Sequence, residues 1–482
     1  MGKVAQFERV DVCIIGGGPA GLMLAEGARR KGYSVTLIEA GFTGGAGANW
    51  GAIPSQALAA CAHRAHLIRN SGQLGIGADE PRINFARING HIRSIIAETA
   101  PDHSPEHLKA IGVEVIIAQA RFSDRRTVLA NDRAIRAKHF VIATGALPNI
   151  PAIPGLETIE YLTPHTIFEL TRRPAHLLVL GGGATGMSLA QSHLRLGCEV
   201  TVIDMLEPLS DHDPELRAVG LRALEREGLG LFANTGIVGI GKNGDTIEVE
   251  IKSGPNEQVL TVSHVLLAAG HTPSLEGLNL AAGRIKRTPR GLLLNKNFRT
   301  SNPRVYCIGD ATGDVASIGT ARQHCEKVLA QIGNPFSILP QPFASEPLQI
   351  DVTYTDPELA QIGLNEPAAR QRHKNRFAVT RLPFAQNSKA LANRQLNGHI
   401  KLIVHASGRL LGASIAGPQA GEIASLAALA IDNGLSVVEL ARAPMVYTSY
   451  GQILSSAASR HLQEHQLAPI WHGLPLGKHL LP

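Results

Sequence analysis

The chain has 482 residues, 50 of them glycine, with an aromatic content of only 4% and a formal net charge of +6. At roughly 100 to 200 residues per domain the length suggests about three domains, and abundant glycine with few aromatics favours the strand-to-helix turns of an α/β protein over a sandwich. The densest basic run, Arg370-Gln-Arg-His-Lys-Asn-Arg376, reads as a short solvated surface turn, so no nucleic-acid partner is expected.

The N-terminus MGKVAQFERVDV lacks the apolar core of a secretion signal, and no run approaches the about 18 apolar residues of a membrane span. A soluble, cytoplasmic protein without membrane partners is the expectation. Residues 12–40, VCIIGGGPAGLMLAEGARRKGYSVTLIEA, predict an apolar strand, a GxGxxG turn, a helix ending near Gly32 and a second strand closing on Glu39. Residues 177–205, LLVLGGGATGMSLAQSHLRLGCEVTVIDM, align with them without a gap and close on Asp204. In each copy the acid lies 23 positions after the first glycine (16 to 39, 181 to 204). Gly16 and Gly181 allow the tight turn, Gly18 and Gly183 let a pyrophosphate approach the backbone, and Gly21 and Gly186 let helix and strand pack closely. The helix N-terminus then faces phosphate, and the acid accepts from ribose hydroxyls. Two dinucleotide sites are expected.

Further along come Ala143-Thr-Gly145, Ala269-Gly-His-Thr-Pro273, Tyr306-Cys-Ile-Gly-Asp-Ala311, Tyr354-Thr-Asp-Pro-Glu358 and Gly417-Pro-Gln-Ala-Gly-Glu422. With the two glycine turns, and in this order from end to end, they make the chain resemble the FAD-dependent pyridine nucleotide disulfide oxidoreductases, which include lipoamide dehydrogenase, mercuric reductase and soluble transhydrogenase. The resemblance implies an α/β fold with two Rossmann-like domains, one for FAD and one for NAD, followed by an α+β C-terminal dimerisation domain. The boundaries expected are 1–155 and 280–345 for the two parts of the FAD and central domain, 156–279 for the NAD domain and 346–482 for dimerisation. FAD would rest on Gly16, Gly18, Pro19, Ala20, Gly21, Glu39, Gly45, Ala46, Trp50, Gly51, Ala120, Ala143, Thr144, Gly145, Gly309, Asp310 and Ala311, with Asp310 reaching the ribityl chain. NAD(H) would rest on Gly181, Gly183, Gly186, Asp204 and Gly270. Asp204 is followed by Met205-Leu206-Glu207 with no arginine to receive a 2′-phosphate, which favours NADH over NADPH. A homodimer is implied, whose C-terminal segment completes the partner's active site.

In the family, two cysteines five positions apart precede Ile-Pro-Ser and form a disulfide beside the flavin. Here the stretch Gly44-Gly-Ala-Gly-Ala-Asn-Trp-Gly-Ala-Ile-Pro-Ser55 places Gly47 and Ala52 there. The other cysteines do not substitute. Cys61 lies nine residues beyond Ala52, roughly 13 Å along a helix; Cys13 and Cys307 belong to apolar strands, Cys198 opens one, and Cys325 belongs to a helix. The family's C-terminal His and Glu, a general base and its orienter, correspond to Tyr447 and Gln452; a phenol, with an ordinary pKa of about 10, is a poor base at neutral pH. The family's Lys and Glu pair beside the flavin corresponds to Gln56 and Ser188. Gln56, Ser188, Tyr447 and Gln452 are therefore the candidate residues lining the reacting faces. Trp50, shared with the transhydrogenase pattern, either packs against the flavin or fills core.

The expectation is an FAD-dependent NAD(P)H oxidoreductase that passes electrons directly to an acceptor: a quinone, a nucleotide, a metal ion or oxygen. The alternatives are a soluble transhydrogenase, or a non-catalytic FAD- and NAD-binding protein acting through a partner. His461-Leu-Gln-Glu-His465 matches an inverted zinc-protease order but has no obvious third ligand, so no metal site is expected. Ser104-Pro105, between His103 and His107, reads as a helix start. The apolar tail from Ala468 to Pro482 either docks on a partner subunit or frays.

Overall fold

The computed structural model describes residues 7–313, 317–333 and 348–465, so the tail from Ala468 lies outside the described residues. Both glycine repeats fold as strand, turn, helix and strand. The first comprises Phe7–Ile15, Pro19–Arg30 and Val35–Glu39; the second comprises His176–Leu180, Ala184–Arg195 and Glu199–Ile203. The buried parts of these strands, such as Val12–Ile15 and Leu177–Leu180, are continuous apolar runs rather than alternating ones because a parallel sheet is covered on both faces. Each helix is followed by a glycine at positive φ, Gly32 at +83° and Gly197 at +90°, the left-handed conformation that closes a last turn without a Cβ penalty.

The first repeat lies in a seven-stranded sheet. Val113–Ile117, Val35–Glu39, Phe7–Ile15 and Arg133–Ile142 are neighbours in that order and parallel, Thr127–Ala130 and Ala120–Asp124 extend the sheet antiparallel, and Val305–Cys307 pairs parallel with Arg133–Ile142. The second repeat lies in a four-stranded parallel sheet ordered Gly230–Phe232, Glu199–Ile203, His176–Leu180, His264–Leu267. An antiparallel sheet of three strands over Gly236–Asn243, Thr246–Ser253 and Asn256–Val262 packs its apolar face into the same core. This is the expected pair of Rossmann-like domains. A short antiparallel pairing, Ala146–Pro148 with His271–Pro273, ties their outgoing segments together.

The described residues divide into two compact units, one drawn from 1–209 and 224–347, the other from 210–223 and 348–482. The second is the expected α+β domain: a five-stranded antiparallel sheet ordered Ile350–Thr353, Glu358–Gly363, Leu410–Gly417, His399–His405, Phe377–Pro383, with helices Ala420–Asp432 and Gln452–Glu464 on its core. Ser104 caps helix Pro105–Ala110 as expected, accepting from the His107 N–H. The basic run differs from its expected turn, because Glu366 and the Asn365 cap extend a helix over Glu366–His373. No described helix is long and apolar enough to cross a membrane.

Residues 210–223 join the second unit through a buried ion cluster. Lys401, 2% exposed on strand His399–His405, donates to Asp213 at 2.9 Å and Glu215 at 3.1 Å and sits 2.8 Å from Glu366. Burial works against the ammonium, but its bonds to Glu366 and Asp213 outweigh that and its pKa is raised. The bond from Arg381, together with Lys401, takes Glu215 down to about 2. Removing one partner of such a cluster leaves uncompensated buried charge, at a cost of about 3 to 5 kcal/mol. Lys401→Met is therefore expected to lower the unfolding free energy of this unit by about that amount in urea denaturation. Because the Glu215 carboxylate is more acidic folded than unfolded, its stabilisation is complete above its ordinary pKa and is lost as pH falls toward about 2; an acid titration of stability checks this.

Candidate functional site

The two glycine turns have the same construction. Gly16 and Gly181 sit at φ +109° and +111°, and a Cβ on either would lie 2.3 Å from a backbone oxygen, of Ala143 and Ala268 respectively. At Gly21 and Gly186 a Cβ would lie 2.0 Å from the Gly16 or Gly181 oxygen. These four positions admit no side chain. Gly18 and Gly183 differ: a Cβ at Gly18 would meet only Gly45 Cα at 3.9 Å, and one at Gly183 would meet nothing within 4 Å. Space rather than protein faces them, beside helix N-termini that no side chain caps. That is the cradle a pyrophosphate requires.

The terminal acids have a second role that the spacing alone did not reveal. Glu39 accepts from the Gly17 N–H at 2.5 Å and the Gly41 N–H at 2.8 Å. Asp204 repeats this with Gly182 at 2.7 Å and Leu206 at 2.8 Å. Each carboxylate thus fixes its own glycine turn, and each oxygen retains lone-pair capacity for a ribose hydroxyl. Of the remaining expected cofactor residues, Ala143 and Gly309 lie against the first turn. The Ala143 N–H donates to Ile15 at 2.7 Å, the Thr144 hydroxyl is buried without a protein partner, and Gly145 at φ +68° accepts from the Ser274 N–H. Gly309, at φ +64°, places its missing Cβ 3.0 Å from Ala20, and Asp310 and Ala311 follow in the same short helix. Gly270, at φ +87°, accepts from the Asn149 N–H where the two domains are tied. Ala120 is buried at the start of its strand. The residues present fit a dinucleotide at each turn.

The glycine-rich stretch from Gly44 is largely helical. Gly45–Asn49 forms a helix of its own, capped by Gly44 at φ +95°, and Ala52–Asn70 begins a second. Glycine permits this because Gly45 approaches Gly18, where a Cβ would lie 2.7 Å from Gly18 Cα. A Cβ at Gly47 would lie 2.9 Å from Pro19, and one at Gly51 would lie 2.6 Å from the Ala46 oxygen. Ala46 and Ala52 are exposed. Trp50 ends the short helix with its ring 5.3 Å from that of His165, while its indole nitrogen is buried without a partner. An unsatisfied donor of this kind costs about 1 to 3 kcal/mol.

All five cysteines are free thiols. Cys13, Cys198, Cys307 and Cys325 are buried, and burial raises every thiol pKa, to about 12 at Cys198 and Cys325. Cys61 is half-buried on helix Ala52–Asn70, with its pKa also raised by burial. None has thiolate character at neutral pH.

Gln56 is exposed in the first turns of that helix, which packs on Ala184–Arg195, where the Ser188 hydroxyl donates to Ala184 at 2.8 Å. Tyr447, 75% exposed, and Gln452, the first residue of its helix, belong to the second unit. His461 shares a hydrogen bond with Thr380 at 2.8 Å and its ring lies tilted against that of His465, centroids 4.6 Å apart; no group of three or more metal-ligating side chains occurs among the described residues. Sequence reasoning missed His165 and His271. Burial, aided by His271, takes His165 down to about 4, so its imidazole is neutral at physiological pH. His271 lies within the Ala269-Gly-His-Thr-Pro273 stretch, which gave its side chain no role, and His165 lies in no such pattern.

The family model for pyridine nucleotide-disulphide oxidoreductases matches residues 10–325, and its dimerisation-domain model matches residues 350–457. A mercuric reductase of Streptomyces lividans is 31% identical over 93% of this chain and 95% of its own length. A dihydrolipoyl dehydrogenase of Thermus scotoductus is 33% identical over 89% and 92%. The crystal structure of LpdA from Mycobacterium tuberculosis covers 94% of this chain and 99% of its own, at 24% identity with a TM-score of 0.83. The flavoprotein disulfide reductase RclA of Escherichia coli covers 93% and 99%, at 22% identity with a TM-score of 0.81.

The paired turns generate a separable prediction. Losing a charged hydrogen-bonding partner is worth about 1.5 to 3 kcal/mol, roughly ten- to a hundredfold in affinity. Glu39→Ala is expected to weaken FAD retention by that factor, measured as flavin content after dialysis. Asp204→Ala is expected to keep its flavin and weaken nicotinamide nucleotide binding instead.

Proposed function

Because the chain belongs to the pyridine nucleotide-disulphide oxidoreductase family, we propose that it is an FAD-dependent NAD(P)H oxidoreductase that hands electrons directly to an acceptor, without a dithiol relay. The observation that carries this reading is the stretch Gly44–Ser55: Gly47 and Ala52 stand where relatives of this family would carry sulfur, and the five thiols present are all held protonated by burial. Bound flavin supplies the hydride and electron chemistry; the protein supplies binding, orientation and exclusion of competing reactions.

The chain's own residues divide that work. The N–H groups of the first glycine turn hold the FAD pyrophosphate and Glu39 holds its ribose, with Asp310 toward the ribityl chain. The second turn and Asp204 do the same for the nicotinamide nucleotide. Asp204 already accepts from two backbone N–H groups; a 2′-phosphate placed against this carboxylate meets like charge, and Met205-Leu206-Glu207 offers it no cation. NADH is the expected donor. Gln56 and Ser188, with Tyr447 and Gln452 contributed across a homodimer, line the reacting faces as uncharged hydrogen-bonding groups. A glycine and a methyl in place of two sulfurs leave the flavin face open to the acceptor.

The test is an anaerobic stopped-flow reaction of the FAD-loaded protein with NADH and, separately, NADPH. NADH is expected to bleach oxidised flavin at least tenfold more efficiently than NADPH. Absence of bleaching by either would favour a non-catalytic flavoprotein, and efficient NADPH oxidation would favour a transhydrogenase. Robust turnover of dihydrolipoamide would contradict the loss of the relay.

A further inference from the structure

The turn that carries Asp310 begins with a backbone donor it cannot satisfy itself. Gly309–Thr312 is one short 3₁₀ helix, and the first N–H groups of a helix have no partner within it. Ile308, just before it, is extended and apolar and offers no side-chain cap. The far end closes locally: the Thr312 hydroxyl donates to the Gly309 carbonyl at 2.8 Å, and the Gly313 N–H donates to the Asp310 carbonyl at 3.1 Å. The Gly309 N–H instead finds its acceptor 15 residues on, in Nδ1 of His324 at 3.3 Å. His324 is 4% exposed on the helix Ile318–Gly333, and its ring lies 4.0 Å from that of Phe298 at an interplanar angle of 35°.

A ring nitrogen that receives an N–H carries a lone pair and no proton, so this bond requires the neutral tautomer of His324, protonated at Nε2. A second bond sits beside it. Cys325, the next residue of the same helix, donates from Sγ to the Ala20 carbonyl at 3.2 Å. Ala20 belongs to Pro19–Arg30, the helix whose N-terminus faces the expected pyrophosphate position, and a Cβ added to Gly309 would lie 3.0 Å from the Ala20 methyl. Successive side chains of one helix thus fasten two segments expected to hold FAD: Cys325 fastens the start of the pyrophosphate helix, and His324 fastens the turn with Asp310. Without the His324 bond the buried Gly309 N–H has no acceptor, and the turn is free to shift against that helix. Such a shift changes what Asp310 presents to a ribityl chain and leaves the first glycine turn intact.

We propose that His324 is a positioning residue for FAD, acting through the Gly309 N–H to hold the turn that carries Asp310 in register with the first glycine turn. This rests on the reading that Asp310 serves the ribityl chain. FAD is titrated into flavin-free protein by calorimetry for the wild type, His324→Leu, His324→Asn, Asp310→Ala and the double variant His324→Leu/Asp310→Ala. His324→Leu is expected to bind FAD about fivefold more weakly, the worth of one neutral hydrogen bond. His324→Asn places its side-chain oxygen where Nδ1 stands, and is expected to return to within about twofold of the wild type. In the Asp310→Ala background the leucine is expected to change affinity by less than about twofold, because the turn has nothing left to present. His324→Gln keeps much of the volume but carries its polar atoms at the place of Nε2; it replaces the leucine variant if that fails to fold, with the same loss of about fivefold expected. Urea unfolding of each flavin-free variant establishes that folded proteins are compared. Equal affinity in the variant lacking the bond, a loss that asparagine does not restore, or an undiminished loss in the Asp310→Ala background overturns the proposal. A wild-type protein that binds no FAD removes the underlying reading instead, and that result is seen before any variant is made.

Discussion

Two backbone bonds to one carboxylate, made twice, hold the nucleotide-binding half of this protein in order. Glu39 draws in the N–H of Gly17 and Asp204 that of Gly182, in each case from the end of the second strand to the middle of the turn after the first. The turn can close this far because Gly16, Gly21, Gly181 and Gly186 have no Cβ to collide with backbone oxygens that would lie 2.0 to 2.3 Å away. Closure aims the helix N-terminus at open space beside Gly18 and Gly183. The acid expected to read a ribose therefore also fixes the shape of its glycine turn.

Much of this was legible in the sequence because the chemistry fixes residue types at fixed spacing. A pyrophosphate on a helix N-terminus favours glycines at fixed positions in the turn, and the acid falls one helix and one strand later. The strands and the helix ends at Gly32 and Gly197 follow from the same regularities, whereas the C-terminal α+β unit was implied only by the family resemblance. The helix over Gly45–Asn49 did not, since glycine and alanine carry no cap or periodic signal and the helix is secured by close approach to Gly18. Lys401 was equally silent. In His399-Ile-Lys-Leu-Ile-Val-His405 it looks like an ordinary strand lysine, and only the fold reveals that it is buried against three carboxylates.

The site beside the flavin position is where local regularities stop being informative and chemistry takes over. Residues 44–52 are four glycines, three alanines, Asn49 and Trp50, with no cysteine among them. The substitutions proposed for the Lys and Glu pair, Gln56 and Ser188, are both uncharged, which avoids stranding a buried charge. Trp50 and His165 are far apart in sequence and meet only through tertiary packing, so no spacing rule finds them. On the proposed reading, these features make a face without nucleophiles or charge beside two intact glycine turns.

The central claim is that no protein disulfide stores electrons in this enzyme. The most direct measurement is an anaerobic dithionite titration of the FAD-loaded protein, followed by flavin absorbance and by the count of reactive thiols. Two electrons per FAD, with an unchanged thiol count, is the result expected of flavin as the sole redox centre. Uptake of four electrons per FAD, with two new thiols appearing before the flavin bleaches, would show a working disulfide and contradict the account.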